Sequence, residues 1–283
     1  VTTPALRSST STARTARTPV GVLRQTLRLT RTEFTLFYRY RMALYIAALP
    51  VVFLLPLSAL PPGEVLPGVD ARAVSIARFF ALAAMTVGVM HVSNVYAARR
   101  EQLVLKRFRV SGVAPAALFG ATTLSVLGVV AAQSAAVVAF LGVAGTLPAD
   151  PVLLALSVLL VTVVMSLLGV FVARFARNAE SAQMLSMVPF LLLLAVSGFI
   201  VPVEMLPDPV AAVFRLLPML PAVELAQSAY VGYDLFGGVE GAHRAAGADL
   251  WLAAVPSLLV LAAWVVVAAL LTRLFQWDPR GAR

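Results

Sequence analysis

The sequence predicts an all-α membrane protein with six transmembrane helices and both termini in the cytoplasm. An amphipathic helix precedes the first span, and re-entrant helices lie outside between spans five and six. Three observations predict it. First, 60% of the 283 residues are hydrophobic and 12% charged, where a soluble domain carries about 25% charged residues. Second, the apolar runs are long and continuous instead of alternating, the pattern of spanning helices and not of barrel strands. Third, the charges are sorted by side. The segments assigned inside hold 18 Lys and Arg against 4 Asp and Glu; those assigned outside hold 4 against 9. Basic residues near span ends stay in the cytoplasm, so this bias sets the orientation.

Residues 1–20 are rich in Ser, Thr, Arg and Pro and have no apolar period, which predicts a disordered cytosolic tail. Residues 21–41 read as an amphipathic helix. Leu23, Leu27, Thr30, Phe34 and Phe37 recur at spacings of four and three, one helical stripe, with Arg24, Arg28, Arg31, Arg39 and Arg41 as its cationic complement. Such a helix lies along the cytoplasmic surface and turns into the first span.

A six-span domain follows over residues 42–273, and residues 274–283 form a second cytosolic tail. The spans are expected at Met42–Leu60, closed by Pro61-Pro62-Gly63, then Phe79–Ala98, Pro115–Leu147, Val152–Ala173, Ala182–Val201 and Leu250–Leu271. A span needs about 20 apolar residues, so the third extends beyond the hydrocarbon. Trp251 and Trp277 bracket the last span, where interfacial aromatics belong. Between spans five and six, Val210–Leu217 and Ala222–Tyr233 are apolar, bounded by prolines and too short to cross; they read as re-entrant or surface helices. Ala84 and Gly88 in span two, and Gly169 and Ala173 in span four, are small residues spaced to let helices approach closely.

The first cytoplasmic loop is the most charged insert. Arg99 to Gly112 carries five basic residues and one acid between two apolar runs. On one continuous helix, Val104, Leu105 and Phe108 share a face with Glu101. The segment serves either as a positive-inside anchor at the bilayer or as a docking surface for a soluble partner.

Several chemistries are excluded. The chain has no cysteine, hence no disulfide and no thiolate ligand or nucleophile. A P-loop needs Gly-Lys-Ser/Thr, and the only lysine, Lys106, lies between Leu105 and Arg107. The two histidines, His91 and His243, fall on opposite sides of the membrane. The span interiors carry no Asp, Glu, Lys or Arg, unlike those of ion-coupled transporters. The polar groups left in the spans include His91, Asn94 and Gln133, which either line a pathway or hydrogen-bond between helices. The chain is thus expected to be no enzyme, to bind no cofactor or metal, and to take its energy from a partner. The alternative is a secondary transporter or channel uncoupled from any ATPase.

These features resemble the ABC-2 type permease family, the membrane subunits of bacterial ABC exporters of the daunorubicin-resistance type. Three features carry the resemblance over the chain from residue 21. One is the order of amphipathic helix, two spans, charged loop and four spans. The second is Arg99-Arg100-Glu101 followed by Leu105, Lys106-Arg107 and Val110-Ser111. The third is Ser197-Gly198-Phe199-Ile200-Val201-Pro202 with Leu206-Pro207, Pro218 and Pro221. The resemblance implies an ATPase-coupling helix that includes Arg100, Glu101, Val104, Leu105, Lys106, Arg107 and Phe108, whose apolar face meets the ATPase. It implies a connecting helix marked by Leu23, Leu27, Arg28, Arg31 and Phe34, and an external gate near Phe199, Pro202 and Glu224. It further implies two ABC ATPase copies holding ATP and magnesium, a second permease subunit in a homodimer or heterodimer, membrane lipid around the spans, and no nucleic acid. The location implied is a bacterial inner membrane. The cargo implied is an amphipathic drug, antibiotic or lipid-like molecule moved outward, as in self-resistance. Family members often carry Gly-Thr after the loop glutamate; Leu103-Val104 stand there here.

Overall fold

A computed structural model describes residues 21–58, 63–239 and 241–278. The tail expected at 1–20 and the Pro61-Pro62 stop lie outside the described residues.

Helix α1 (Val22–Arg39) forms where the amphipathic period predicts it. Its buried face keeps Phe34 and Phe37 of the expected stripe but not its leucines. Thr26, Glu33 and Phe37 are buried, whereas Leu23 and Leu27 are exposed. The reason lies in what α1 packs against, the long helix α7 (Pro115–Val143). Thr26 meets Gly120, and Phe34 lies over Gly128. Eight residues separate each pair on both helices, so α1 runs beside α7 in the same direction. Two glycines without side chains open the seat. The face chosen is the one that fits them, and the leucines at the start of the stripe stay exposed.

Helix α2 (Arg41–Ser58) carries Pro50 and Pro56 internally. Two short antiparallel strands follow, β1 (Glu64–Leu66) and β2 (Val69–Asp70), a departure from the all-α expectation. The turn Pro67-Gly68 joins them, with Gly68 at φ +75°, a conformation glycine reaches without cost. The Asp70 carboxylate caps the next helix by accepting from the Arg72 backbone N–H at 2.8 Å.

The stretch expected as span two is a stack of α3 (Ala71–Ala77), α4 (Phe79–Met85), a π-helical stretch (Thr86–His91) and α5 (Val92–Glu101). It is apolar on every side and almost wholly buried, the centre of the bundle. Helix α8 (Pro151–Ala173) crosses it at two glycines. A Cβ on Gly88 would stand 2.6 Å from the Met165 Cβ, and one on Gly169 would stand 2.3 Å from the Gly88 carbonyl oxygen. The small residues read from the sequence therefore make a close backbone crossing.

Helix α6 (Val104–Val110) is short. Helix α9 (Ala179–Ala195) ends at Val196, so residues 196–201, expected inside span five, form a turn and a bend. Helices α10 (Asp208–Arg215) and α11 (Met219–Val231) meet at an 83° bend, and α12 (Ala248–Thr272) closes the bundle. Among the described residues four helical stretches are long and apolar enough to cross a membrane: Ala71–Glu101, α7, α8 and α12. The bent pair makes a fifth if it counts as one span. Helix α9 and the apolar part of α2, Ala43–Val52, are shorter.

The tail expected from residue 274 begins as a packed segment. Phe275 is buried edge-on to Tyr96 and Phe119, with ring centroids 5.6 and 5.9 Å away. At the opposite end of the bundle, Val69, Val74, Tyr233 and Leu235 form a small core. There the Tyr233 hydroxyl donates to the Pro67 carbonyl at 2.7 Å, tying the hairpin to the loop after α11.

Candidate functional site

The basic insert does not form one helix. Leu103 adopts φ +58°, the left-handed region, and this breaks α5 from α6. Arg99, Arg100 and Glu101 thus end span two, and the helical phase resets before Val104. Glu101 no longer shares a face with Val104, Leu105 and Phe108. The apolar face expected to meet a partner turns inward instead: Leu105 is fully buried and Phe108 packs against the bundle core. Lys106, Arg107 and Arg109 are exposed. An amphipathic helix must bury its apolar side somewhere, and the neighbouring spans supply the place.

The end of α5 reaches three other parts of the chain. The Arg99 guanidinium donates to the Glu33 carboxylate of α1 at 2.6 Å, with both side chains about a tenth exposed. Arg100 is fully buried and donates to the Ala176 carbonyl in the α8–α9 turn and to the Gln276 carbonyl of the C-terminal segment. The Glu101 carboxylate accepts from the Ala179 backbone N–H at 3.4 Å. Ala179 opens α9, so this carboxylate faces the positive end of a helix dipole. One turn carrying two arginines and a glutamate thereby holds α1, α9 and the chain's last segment.

Asn94 and His91 lie about one and two turns deeper, against a cavity of about 190 Å³ between α1 and α5 that Glu33, Tyr40 and Arg99 also line. The Asn94 amide donates to the Ala179 carbonyl at 2.9 Å, and its oxygen accepts from the Tyr40 hydroxyl at 2.9 Å. The His91 ring packs edge-on to Phe37 at 4.8 Å. Gln133 donates its amide to the Ala47 carbonyl, joining α7 to α2. The structure brings His91 and Asn94 together and leaves Gln133 on another helix pair.

At the other end of the bundle, Pro202 and Glu224 line a cavity of about 30 Å³ with Arg78 and Gln227, a volume on the scale of one water molecule. The Arg78 guanidinium donates to the Gly198 carbonyl at 3.1 Å, and the Gln227 amide donates to the Val74 carbonyl at 3.0 Å. The Glu224 carboxylate, buried in α11, stands 3.9 Å from the Arg215 guanidinium of α10. Phe199 packs on the core beside this cavity without lining it. Gly198 at φ +72° makes the turn that presents the carbonyl.

Sequence reasoning missed Glu33, Tyr40, Arg78 and Gln227. Glu33 had a signal, since it is the only acid in the first 63 residues and it sits in a helix with four arginines. Arg78 had one too, as a lone cation one residue before an expected span.

Curated proteins give no match to the chain. Residues 52–274 match the family described as ABC-2 family transporter protein. That stretch takes in α2 from Val52, the whole α5–α6 turn and all of α12. The chain belongs to the ABC-2 transporter family, and is a multi-pass membrane protein of the permease type that in this family generally works with an ABC ATPase.

Proposed function

We propose that the chain is one permease subunit of an ATP-driven exporter in a bacterial inner membrane. In this reading it spans the bilayer six times, with α2 and α9 among the spans, both termini inside, and the bent pair α10–α11 re-entrant from outside. It pairs with a second permease, identical or related, and with two copies of a separate ATPase that bind ATP and magnesium. The chain itself catalyses nothing. The cargo is amphipathic (a drug, antibiotic or lipid-like molecule) and moves outward.

One observation carries the reading: α6 is a short lever with a free basic face. Leu105 and Phe108 seat it, Lys106, Arg107 and Arg109 face solvent, and α5 behind it is bonded to α1, α9 and the C-terminal segment. An ATPase that gripped the basic face and rocked it would move all three at once. Guanidinium and ammonium groups suit an acidic cleft on such a partner.

The test is co-purification with the cognate ATPase. Reversal of the exposed charges, Lys106→Glu with Arg107→Glu, should abolish it while leaving the thermal midpoint of the permease unchanged. Phe108→Asp should unfold the segment instead, because Phe108 packs inward. Transport by the isolated chain without any ATPase, or binding that ignores the double reversal, would overturn the proposal.

A further inference from the structure

We propose that the groove at the Arg273 end of α12 holds an anionic phospholipid. Its phosphate sits at Arg273 and Trp277, and an acyl chain lies along Phe119, Leu124, Val163 and Leu167. The groove measures about 770 Å³ and is open along one side, a size in the range of ligand pockets, about 300–1,000 Å³. Helix α8 is the floor, and the first turns of α7 and the last turn of α12 are the walls.

Three features select the occupant. The walls belong to helices long and apolar enough to cross a membrane, so the trough opens towards acyl chains, and a small soluble anion has no use for it. The polar groups gather at one end. The Arg273 guanidinium and the Trp277 indole N–H have no hydrogen-bond or ion-pair partner among the described residues. The neighbouring acid in sequence, Asp278, is exposed and makes no ion pair among the described residues. A lone cation with an apolar trough behind it suits a headgroup of net negative charge. Finally, the rim is built and not loose. Trp277 lies 5.8 Å from the Phe119 ring and 5.5 Å from Phe275, which is itself buried. An indole fixed at the end of a span is a headgroup-level anchor. The site stands whichever end of the bundle faces the cytoplasm; only the leaflet follows from the topology proposed above.

The test uses the full chain in phosphatidylcholine nanodiscs, with Trp251→Phe and Trp264→Phe so that Trp277 is the only tryptophan of the three. Brominated phosphatidylglycerol should quench Trp277 more than brominated phosphatidylcholine at the same mole fraction. Arg273→Gln should lower that preference about fivefold, the share of one basic group at an anionic surface. Arg174→Gln, at the end of α8 but outside the groove, should leave it intact. Native mass spectrometry of the unsubstituted chain should show phosphatidylglycerol retained after delipidation and lost in Arg273→Gln. Equal quenching by both lipids would mean ordinary boundary lipid and overturn the proposal. Quenching by neither would mean that protein covers the groove, and displacement by free glycerophosphate would mean a soluble-anion site. Either result also overturns it.

Discussion

Glu33 and Arg99 are the residues whose loss has the clearest consequence. Their 2.6 Å pair is almost fully desolvated, and removing one partner leaves a buried charge uncompensated, a cost of about 3–5 kcal/mol. Glu33→Gln should therefore lower stability by about 3 kcal/mol, read as a drop in the thermal midpoint in detergent. Replacing both, Glu33→Met with Arg99→Met, should recover at least half of that loss, because well-packed apolar residues substitute for buried pairs. A double variant as weak as the single one would show that the pair has no role beyond filling space. A second carboxylate acts through pH. The Arg72 side chain bonds Asp70 and holds its carboxyl below the ordinary value near 3.8. A depressed folded pKa stabilises the fold above the unfolded value, and this stabilisation is lost as pH falls through the folded one. Asp70→Asn keeps a capping oxygen for α3 but removes the titration. Acid unfolding of the variant should start from a lower stability at neutral pH and converge with the parent once pH falls below the folded pKa of Asp70. Parallel curves that never converge would exclude Asp70 as the titrating group.

The break at Leu103 is the feature of α5–α6 that most rewards a test. A leucine at φ +58° pays the left-handed penalty, about 1–2 kcal/mol, and its side chain is 45% exposed, so little packing holds it there. Leu103→Gly should raise stability by about 1 kcal/mol or less, the relief being offset in part by the entropy of glycine. Leu103→Val should lower it, since a β-branched residue tolerates that region worse. A destabilised glycine variant would mean that the leucine side chain, and not the turn, holds α6 in place. This break also marks the limit of what was legible in the sequence. The cores of α7, α8 and α12 were readable because each is one uninterrupted apolar run with Pro or Gly at its edges. The break was not, because neither Gly nor Asn stands at 103, and a helical projection carried across it put Glu101 on the wrong face. The π-helical stretch at Thr86–His91 has no residue signature either. The β1–β2 turn did, in Pro67-Gly68. The buried face of α1 was illegible for another reason: it is set by Gly120 and Gly128 on a helix nearly a hundred residues away, and no local period carries that information.

Across the whole molecule the question is which apolar face would meet the second permease proposed above and which would meet lipid. Helices α9 and α12 both expose large apolar side chains: Val188 and Leu191 on α9, Val266 on α12. Composition does not separate them, but connectivity does. Helix α9 begins at the Glu101 carboxylate and leads at its end into the Ser197–Pro202 turn, where Arg78 holds the Gly198 carbonyl. It is therefore bonded at its start to the end of α5, directly behind the α6 lever, and continuous at its end with the opposite cavity. Paired subunits that met along α9 would move relative to one another whenever that lever moved. Helix α12 contributes the Arg273 wall of the lipid groove and needs its outer face in the bilayer. The chain has no cysteine, so single-cysteine variants report without background. Val188→Cys or Leu191→Cys should form a disulfide-linked dimer in membranes under mild oxidation, and Val266→Cys should not. Crosslinking at Val266 with none on α9 would move the permease contact to α12. It would leave the ATPase-coupled reading standing, but it would cover the face that the groove opens onto, so one gel would weigh on both the pair interface and the lipid site.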